Sequence, residues 1–356
     1  MTDSSFSITP IDKSNLLQLS ELWRAVESTA DNSFFISWAW ISNWINTIPD
    51  PVYLLKYMES GSLSLGILCH QKTFLSSTYL LNKTGSKAKD QIWIEHNALL
   101  HGPSFPKHIN LLKHFSEGKI KSSLVIGVSQ SDYLSRFDTL GYIARCVWRA
   151  PSYSKKLTKN CQDYDYLLNT FSKNTKTQIK RSYKYISSLG EVELRRATSQ
   201  TEALVIFKKI AGLHKNKWGD SSGFSNPYFV KFHTQLVKAQ CELGLVDLVS
   251  LELDGKMVAG LYNFVYKDKA YFYLSGIDYS ISDNKFKPGL LIHTLIMQQY
   301  AKDNIAEYDF MAGEARYKKS LADTDCEMQA VYFERDSRLN RFLNNVRCAK
   351  SRFRFG

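Results

Sequence analysis

No uninterrupted apolar run in this sequence approaches the length of a membrane span. The opening residues, Met1-Thr-Asp-Ser-Ser-Phe, have no basic region followed by an apolar stretch, so no secretory leader is read there. Cys69, Cys146, Cys161, Cys241, Cys326 and Cys348 are scattered without a CxxC pair. That scatter argues against a disulfide scaffold and for reduced thiols in a cytoplasmic protein. There is no HExxH, and the spacing of His96, His101, His108 and His114 fits no familiar zinc set, so no metal is expected.

What is present bounds the class. A chain of 356 residues is long for one core and comfortable for two domains. With 44% hydrophobic and 13% aromatic residues it is globular rather than disordered. The formal charge of +12 is concentrated in two places. Lys173, Lys176, Lys180 and Lys184, with Arg181 beside them, recur at helical spacing and form one basic stripe. Arg335, Arg338, Arg341, Arg347, Lys350, Arg352 and Arg354 mark a basic tail, to which Phe342, Leu343 and Val346 give an apolar side. Each cluster reads either as a solvated face or as an attractor for an anionic partner: a phosphorylated glycan carrier, an acidic lipid surface or RNA. The tail also admits peripheral contact with a membrane or docking on its own domain.

The stretch from Leu245 to Lys318 carries the most information. Two strand patterns, Leu245–Leu253 and Met257–Tyr266, meet at Asp254-Gly255, a dipeptide suited to a tight hairpin turn. A third, Ala270–Asp278, follows Lys267-Asp268-Lys269. Lys285-Phe286-Lys287 then leads to Pro288-Gly289 and a helix opening Leu290-Leu291-Ile292. A further strand, Glu307–Met311, ends in Ala312-Gly313, with Tyr317-Lys318 beyond. Backbone N–H groups in a helix's first turn lack intrahelical partners and sit at the positive end of the dipole. Pro288 fits the first helical position, Gly289 leaves the backbone open to a phosphate, and Lys285 and Lys287 add charge. Taken alone, Pro-Gly also reads as an ordinary helix start.

The runs Leu251-Glu-Leu-Asp-Gly-Lys-Met-Val-Ala-Gly260, Tyr273-Leu-Ser-Gly-Ile-Asp278, Lys287-Pro-Gly-Leu-Leu291 and Tyr308-Asp-Phe-Met-Ala-Gly313 with Tyr317-Lys318 resemble the GNAT acyltransferase superfamily. Within it they resemble the CelD-like branch, associated with exopolysaccharide synthesis and related to Fem-type peptidyltransferases. The resemblance covers Asn169 to Asp325. It departs from many GNAT enzymes in offering only Gly289, after Lys285 and Lys287, where a glycine-rich pyrophosphate loop is usual.

An internal repeat fits this family. Glu59-Ser-Gly-Ser-Leu-Ser-Leu-Gly-Ile67 parallels Leu253-Asp-Gly-Lys-Met-Val-Ala-Gly-Leu261, each behind a helical and then an aromatic-rich segment. The reading is α/β (α+β), two tandem GNAT-like domains, each a mixed, mostly antiparallel sheet flanked by helices. The expected division is residues 1–150, 151–334 and a basic tail 335–356, with a linker in Ala150–Lys156. The first copy lacks a Pro-Gly helix opening and reads as having lost the cofactor site. Gln91-Ile-Trp-Ile-Glu95 reads as a strand placing Glu95, a substrate-binding candidate, at its end; a surface cap is the other reading.

The resemblance implies acetyl-CoA or another acyl-CoA as co-substrate and direct attack by an amine on the thioester carbonyl. It implies pyrophosphate binding by Lys285, Lys287, Gly289 and Leu290, and carbonyl-side amides around Leu274, Ser275 and Gly276. Asp278 or Asp309 would act as base, with Asp309 also readable as a structural carboxylate. Tyr317 would protonate the thiolate, and Lys318 would stabilise charge or fix Asp309. His214 and Trp218, four apart on one helix face, would line the acceptor site with Lys180 and Arg181, or Trp218 would anchor the core. The expected acceptor is a small-molecule or glycan amine, anionic in character, such as an amino sugar or sugar nucleotide. Transfer from aminoacyl-tRNA and a non-catalytic binding role are the alternatives.

Overall fold

The computed structural model describes residues 5–73, 77–104, 106–117, 122–281, 284–338 and 340–342. It divides into two compact units: the chain up to Arg149 together with the chain from Met328 on, and Ala150–Glu327.

The first unit contains β1 (Ser5–Pro10), α1 (Leu17–Glu27), α2 (Trp38–Thr47), β2 (Tyr53–Glu59), β3 (Ser62–Lys72), β4 (Ser77–Leu81), β5 (Leu100–His101), α3 (Leu111–Glu117), β6 (Ser123–Gln130) and α4 (Ser131–Leu134). β7 (Tyr142–Lys156) spans the boundary in sequence. The second unit holds α5 (Tyr164–Asn169), α6 (Lys173–Ser187), β8 (Val192–Arg196), α7 (Gln200–Trp218), α8 (Pro227–Gln240), β9 (Val246–Leu253), β10 (Lys256–Tyr266), β11 (Lys269–Ile277), α9 (Pro288–Lys302), β12 (Glu307–Ala312) and α10 (Arg316–Leu321). β13 (Thr324–Arg335) spans the second boundary.

Both units carry one strand plan. The order β1-β2-β3-β4-β6-β13 has every neighbour antiparallel except the parallel pair β4 and β6 in the first unit's pairings. The order β8-β9-β10-β11-β12-β7 repeats this, with β11 and β12 as its parallel pair. The mixed, mostly antiparallel tandem fold is therefore as expected. Its connectivity is not. The sixth strand of each set is the segment that follows the other set's fifth strand in the chain: β13 lies on β6, and β7 on β12. Residues from Met328 on thus group with the first unit, which differs from the division at 334.

Matching hairpins open the two sheets. Ser60 and Gly61 have φ of 50° and 77°, Asp254 and Gly255 of 48° and 75°, so both turns are left-handed at both central positions. The second glycine of each repeat is a packing requirement. A Cβ on Gly66 would come 2.7 Å from Leu81 Cδ1, and one on Gly260 2.6 Å from Ile210 Cγ1. Polar side chains start the helices: Ser37 accepts from Trp40, Ser172 from Thr175, Ser199 from Glu202 and Asn226 from Tyr228. α9 buries Leu291, Ile292, Ile296 and Tyr300 in a core shared with Leu251, Leu261 and Tyr308. Its C-terminal end is tied down by Tyr300, whose hydroxyl donates to Asp247 at 2.7 Å, and by Arg196, which bridges Asp247 and Asp303.

The parallel pairs decide where cavities open. β11 and β12 are paired only at Lys269↔Glu307, Ala270↔Tyr308 and Tyr271↔Asp309, then separate. In the first unit β4 ends at Leu81 while β6 continues to Gln130. There Asn97, fully buried, fills the gap: its N–H donates to Val128 O at 2.8 Å, and its Nδ2 to Leu81 O at 2.8 Å. Asn82 Nδ2 donates to Asn97 Oδ1 at 2.8 Å and locks the plug. The strand read for Gln91–Glu95 is corrected by the structure. Lys89–Ile92 is a 3-10 turn, and Trp93 and His96 are left-handed, with φ of 44° and 50°, which breaks the alternation. Glu95 therefore sits in a loop rather than at a strand end.

Among the tail residues, Arg335 ends β13 and Arg341 pairs with Asp336. Leu343, Val346, Arg347, Cys348, Lys350, Arg352 and Arg354 lie outside the described residues. No helix among the described residues is long and apolar enough to cross a membrane.

Candidate functional site

The separation of β11 from β12 faces the start of α9, and a cavity of about 540 Å³ lies there. Its lining includes Ser275, Ile277, Asp278, Tyr279, Lys287, Gly289, Leu290, His293 and Tyr317.

At the helix start, Lys287 is the N-cap and no side chain caps the first turn. The Lys287 N–H is already spent on Ser182 Oγ at 2.9 Å, and Pro288 has none. Leu291 N–H bonds back to Lys287 O at 3.1 Å. Gly289 and Leu290 therefore hold the two N–H groups that α9 can offer an anion. A Cβ on Gly289 would meet nothing within 4 Å, so the backbone is approachable. Lys285 is exposed and does not line the cavity; the core residue Phe286 separates it from Lys287. Arg181 reaches the same loop, donating to Asn284 O at 3.3 Å. Lys180 instead pairs with Asp165 at 3.2 Å on an exposed surface and is not in the cavity wall.

On the strand side, Asp278 N–H donates to Val258 O at 2.9 Å. The register Gly260↔Gly276 and Tyr262↔Leu274 continues that antiparallel ladder. By its alternation the N–H groups of Leu274 and Gly276 also point at β10, while those of Ser275 and Ile277 point away from it, toward the β12 side. Leu274 and Gly276 are thus corrected as donors. Gly276 is a glycine for α7: a Cβ there would lie 2.7 Å from Ile210 O.

Asp309 and Lys318 are both buried, and neither lines the cavity. The pairing of β12 with β7 shifts between Asp309 and Ala312, and Met311 has a φ of 64°. Asp309 Oδ1 accepts the Met311 N–H at 2.7 Å, and Lys318 Nζ donates to Met311 O at 3.1 Å and Ala312 O at 2.8 Å. Together they satisfy the backbone of this irregularity, which fits the structural reading of Asp309. His214 and Trp218 do come together, with rings 6.2 Å apart, but neither is in the cavity wall. His214 is held by Ser222 at 2.8 Å, and Trp218 is 56% exposed, so it is not a core anchor.

The residue that the sequence reading missed is His293. It lies one turn beyond Gly289 on α9, stacks on Tyr317 (5.4 Å, 14°) and meets Phe272 edge-on at 4.5 Å. Burial, reinforced by the nearby Lys318 ammonium, pushes its imidazole down to about 3, so it is neutral at physiological pH. The buried Tyr308 hydroxyl needs an acceptor, and His293 Nδ1 at 2.8 Å supplies one. That assigns the proton to Nε2, the nitrogen left to act as a donor. Burial raises the Tyr317 phenol, so it stays protonated. Burial also raises the Asp278 carboxyl, but hydrogen bonds from Ser280 and the charge of Lys256 outweigh this and hold it below its usual range. Asp278 is an anion at neutral pH.

His293 makes the protein acid-sensitive in a defined window. Unfolded, the imidazole binds its proton near pH 6.5, about its ordinary value; folded, only near 3. The unfolded state holds more protons between those limits, so this contribution is full above pH ~6.5 and is lost as pH falls toward ~3. In urea titrations, His293→Gln should be less pH-dependent than the native protein across this window, by up to about 1.4 kcal/mol per pH unit.

Residues 173–319 match the family described as the acetyltransferase (GNAT) domain. FemX superposes with a TM-score of 0.56 at 11% identity, covering 91% of this chain and 96% of FemX. A conserved protein of unknown function from Bacteroides thetaiotaomicron gives 0.52 at 12% identity, over 93% of this chain and 100% of that one. The C-terminal domain of an Agrobacterium fabrum protein described as a lysylphosphatidylglycerol synthetase gives 0.50 at 11%, over 93% and 95%. At these identities the likeness is one of fold. No curated protein matches the chain. GNAT domains generally use acyl-CoA, and no group that could hold a metal ion occurs among the described residues.

Proposed function

We propose that the second unit is an N-acyltransferase that moves an acetyl or other acyl group from acyl-CoA to an amine, such as an amino sugar or sugar nucleotide used in surface polysaccharide synthesis. One observation carries this reading: an uncapped helix start with two open N–H groups faces the separation of two parallel strands. Gly289, Leu290 and Lys287 would hold the cofactor's phosphates, and the strand edge at Ser275 and Ile277 its acyl end. Bound acyl-CoA supplies an activated acyl carbon and a thiol leaving group.

The chain's own groups divide the remaining work. The N–H groups of Ser275 and Ile277, with His293 Nε2–H, offer donors to an oxygen that gains negative charge. A neutral imidazole suits that task, because a group titrating near 3 is a poor base. Asp278, ionised and in the cavity wall, attracts and orients the acceptor amine, whose proton passes to water. Tyr317, kept protonated by burial, gives a proton to the leaving sulfur. Acyl-CoA as donor would place the reaction in the cytoplasm.

The test is thiol release from acetyl-CoA and longer acyl-CoAs, monitored with and without an amino-sugar panel. Release that requires an amine supports the proposal. Transfer of a labelled amino acid from charged tRNA, with no acyl-CoA turnover, would replace it by the Fem-type reading. Absence of both, with no acyl-CoA raising the melting temperature, would leave a binding protein on this scaffold.

A further inference from the structure

The ladder between β10 and β11 carries one residue too many, and its place decides which backbone groups face the cavity. Phe264 lies opposite Tyr271 and Tyr262 opposite Leu274, so β11 has Phe272 and Tyr273 where β10 has Asn263 alone. This is a β-bulge, and it changes the parity of the strand. Val265 N–H donates to Leu245 O, away from β11. By alternation Phe264 then exchanges bonds with Tyr271, and the even-numbered Ala270 and Phe272 turn their N–H groups toward β12. Beyond the bulge it is the odd-numbered Ser275 and Ile277 that face the gap, as described above. The side chains change over as well. Phe272 meets His293 on α9, whereas farther along Ser275 and Ile277 line the cavity and Gly276 lies against α7. Without the extra residue, Ser275 and Ile277 would turn toward α7 and present their N–H groups to β10.

Tyr273 is clamped at this point. Its ring stacks on Phe229 of α8 (6.4 Å, 13°) and packs against Phe264 (5.0 Å), and its hydroxyl lies 2.9 Å from His233 Nε2. His233, wholly buried on α8, has its other nitrogen, Nδ1, 3.2 Å from the Tyr262 hydroxyl. A neutral imidazole donates from one nitrogen and accepts at the other, so it serves both hydroxyls in either tautomer. Tyr262 and Tyr273 belong to the two strands that the bulge puts out of step, and one side chain from α8 joins them. Neither His233 nor Tyr273 is in the cavity wall, so their influence on it runs through the backbone of β11.

We propose that Tyr273 and His233 are positioning residues, which hold the extra residue in the ladder and so keep the Ser275 and Ile277 N–H groups aimed at the acyl carbonyl. The proposal rests on the acyl-transfer reading of the cavity.

Tyr273→Phe keeps the ring and removes the hydroxyl. In thiol release from acetyl-CoA with the amino-sugar panel, kcat should fall about ten- to a hundredfold, since a misplacement of ~1 Å can cost that much. The acyl-CoA concentration that half-protects the protein in thermal melts should stay within about twofold, because α9 is untouched. His233→Gln, whose amide both donates and accepts, should retain more of the rate than His233→Phe. In the unliganded protein, amide hydrogen exchange should quicken at Leu274 and Gly276 while β9 keeps its protection. If Tyr273→Phe does not fold, Tyr262→Phe, which removes the other hydroxyl held by His233, decides in its place. Native kcat with native exchange in the folded variant would overturn the proposal. So would a raised KM with kcat unchanged, the mark of a substrate contact. No thiol release by the native protein would refute the acyl-transfer reading and the catalytic half of the proposal with it. Exchange would then judge the clamp alone: it stands if Leu274 and Gly276 exchange faster in the variant, and falls if they do not.

Discussion

Gly289→Asp is expected to abolish the rise in melting temperature produced by acyl-CoA while leaving the unliganded protein as stable as before, or slightly more so. The two effects have one cause. A carboxylate in the first turn of α9 interacts favourably with the helix dipole and with unpartnered N–H groups, a gain of about 0.3–1 kcal/mol. The space above Gly289 is open, so the new side chain meets no steric obstacle. The same carboxylate occupies the position an incoming phosphate needs and repels it. Only Gly289 and Leu290 offer N–H groups there, so no alternative cradle remains within the turn. Weakening by at least about a hundredfold corresponds to ~2.7 kcal/mol, enough to remove ligand protection at concentrations that saturate the native protein. Gly289→Ala, adding bulk without charge, should keep most of the protection. Full protection of the Asp variant by acyl-CoA would move the phosphate site away from α9.

His293→Ala is the second large effect. It should lower kcat by about 10²–10³-fold, the usual consequence of removing one donor to a developing oxyanion. Acyl-CoA protection in thermal melts should survive, because the phosphates bind a turn earlier. His293→Gln, which can present an N–H near the same place, should recover part of the rate. A base in that position would behave differently: the native rate would fall on acidification through the imidazole's own titration. Here the imidazole stays neutral down to about 3, so any acidic limb near neutrality must come from another group, whereas for a base Gln would restore nothing.

Local chemistry made part of this molecule legible. Asp254-Gly255 demanded a left-handed turn, and the alternating strands beside it could hardly pair otherwise, so the hairpin from Val246 to Tyr266 follows from sequence. The repeat at Ser60-Gly61 is the same physics used twice. Residues whose role depends on distant partners were harder to read. Gly276 resembled a place for a cofactor, but the constraint is the backbone of Ile210. Asp309 and Lys318 read as a catalytic pair because both are charged in apolar company; an irregularity at Met311, invisible in sequence, engages them both. His293 lay unnoticed on an apolar helix face, although its four-residue spacing from Gly289 placed it on the side that meets the cavity. Gln91–Glu95 alternated like a strand, and two left-handed residues undid the pattern. No local signal revealed which sheet β7 and β13 would join, since pairing partners are fixed by long-range register.

That exchange of final strands has a consequence for synthesis. During translation the first sheet emerges with β6 lacking a neighbour on one side, because the strand that covers it, Met328–Phe333, is made only after the whole of the second unit. Until then the ribosome-bound chain displays an open row of backbone donors and acceptors, the kind of edge that recruits other chains. The second sheet does not wait in this way: β7 leaves the ribosome before β12 and is already available to it. The order of completion is therefore reversed relative to the order of synthesis. A chain truncated just before Met328 would keep every residue of the second unit while leaving the first with an aggregation-prone edge.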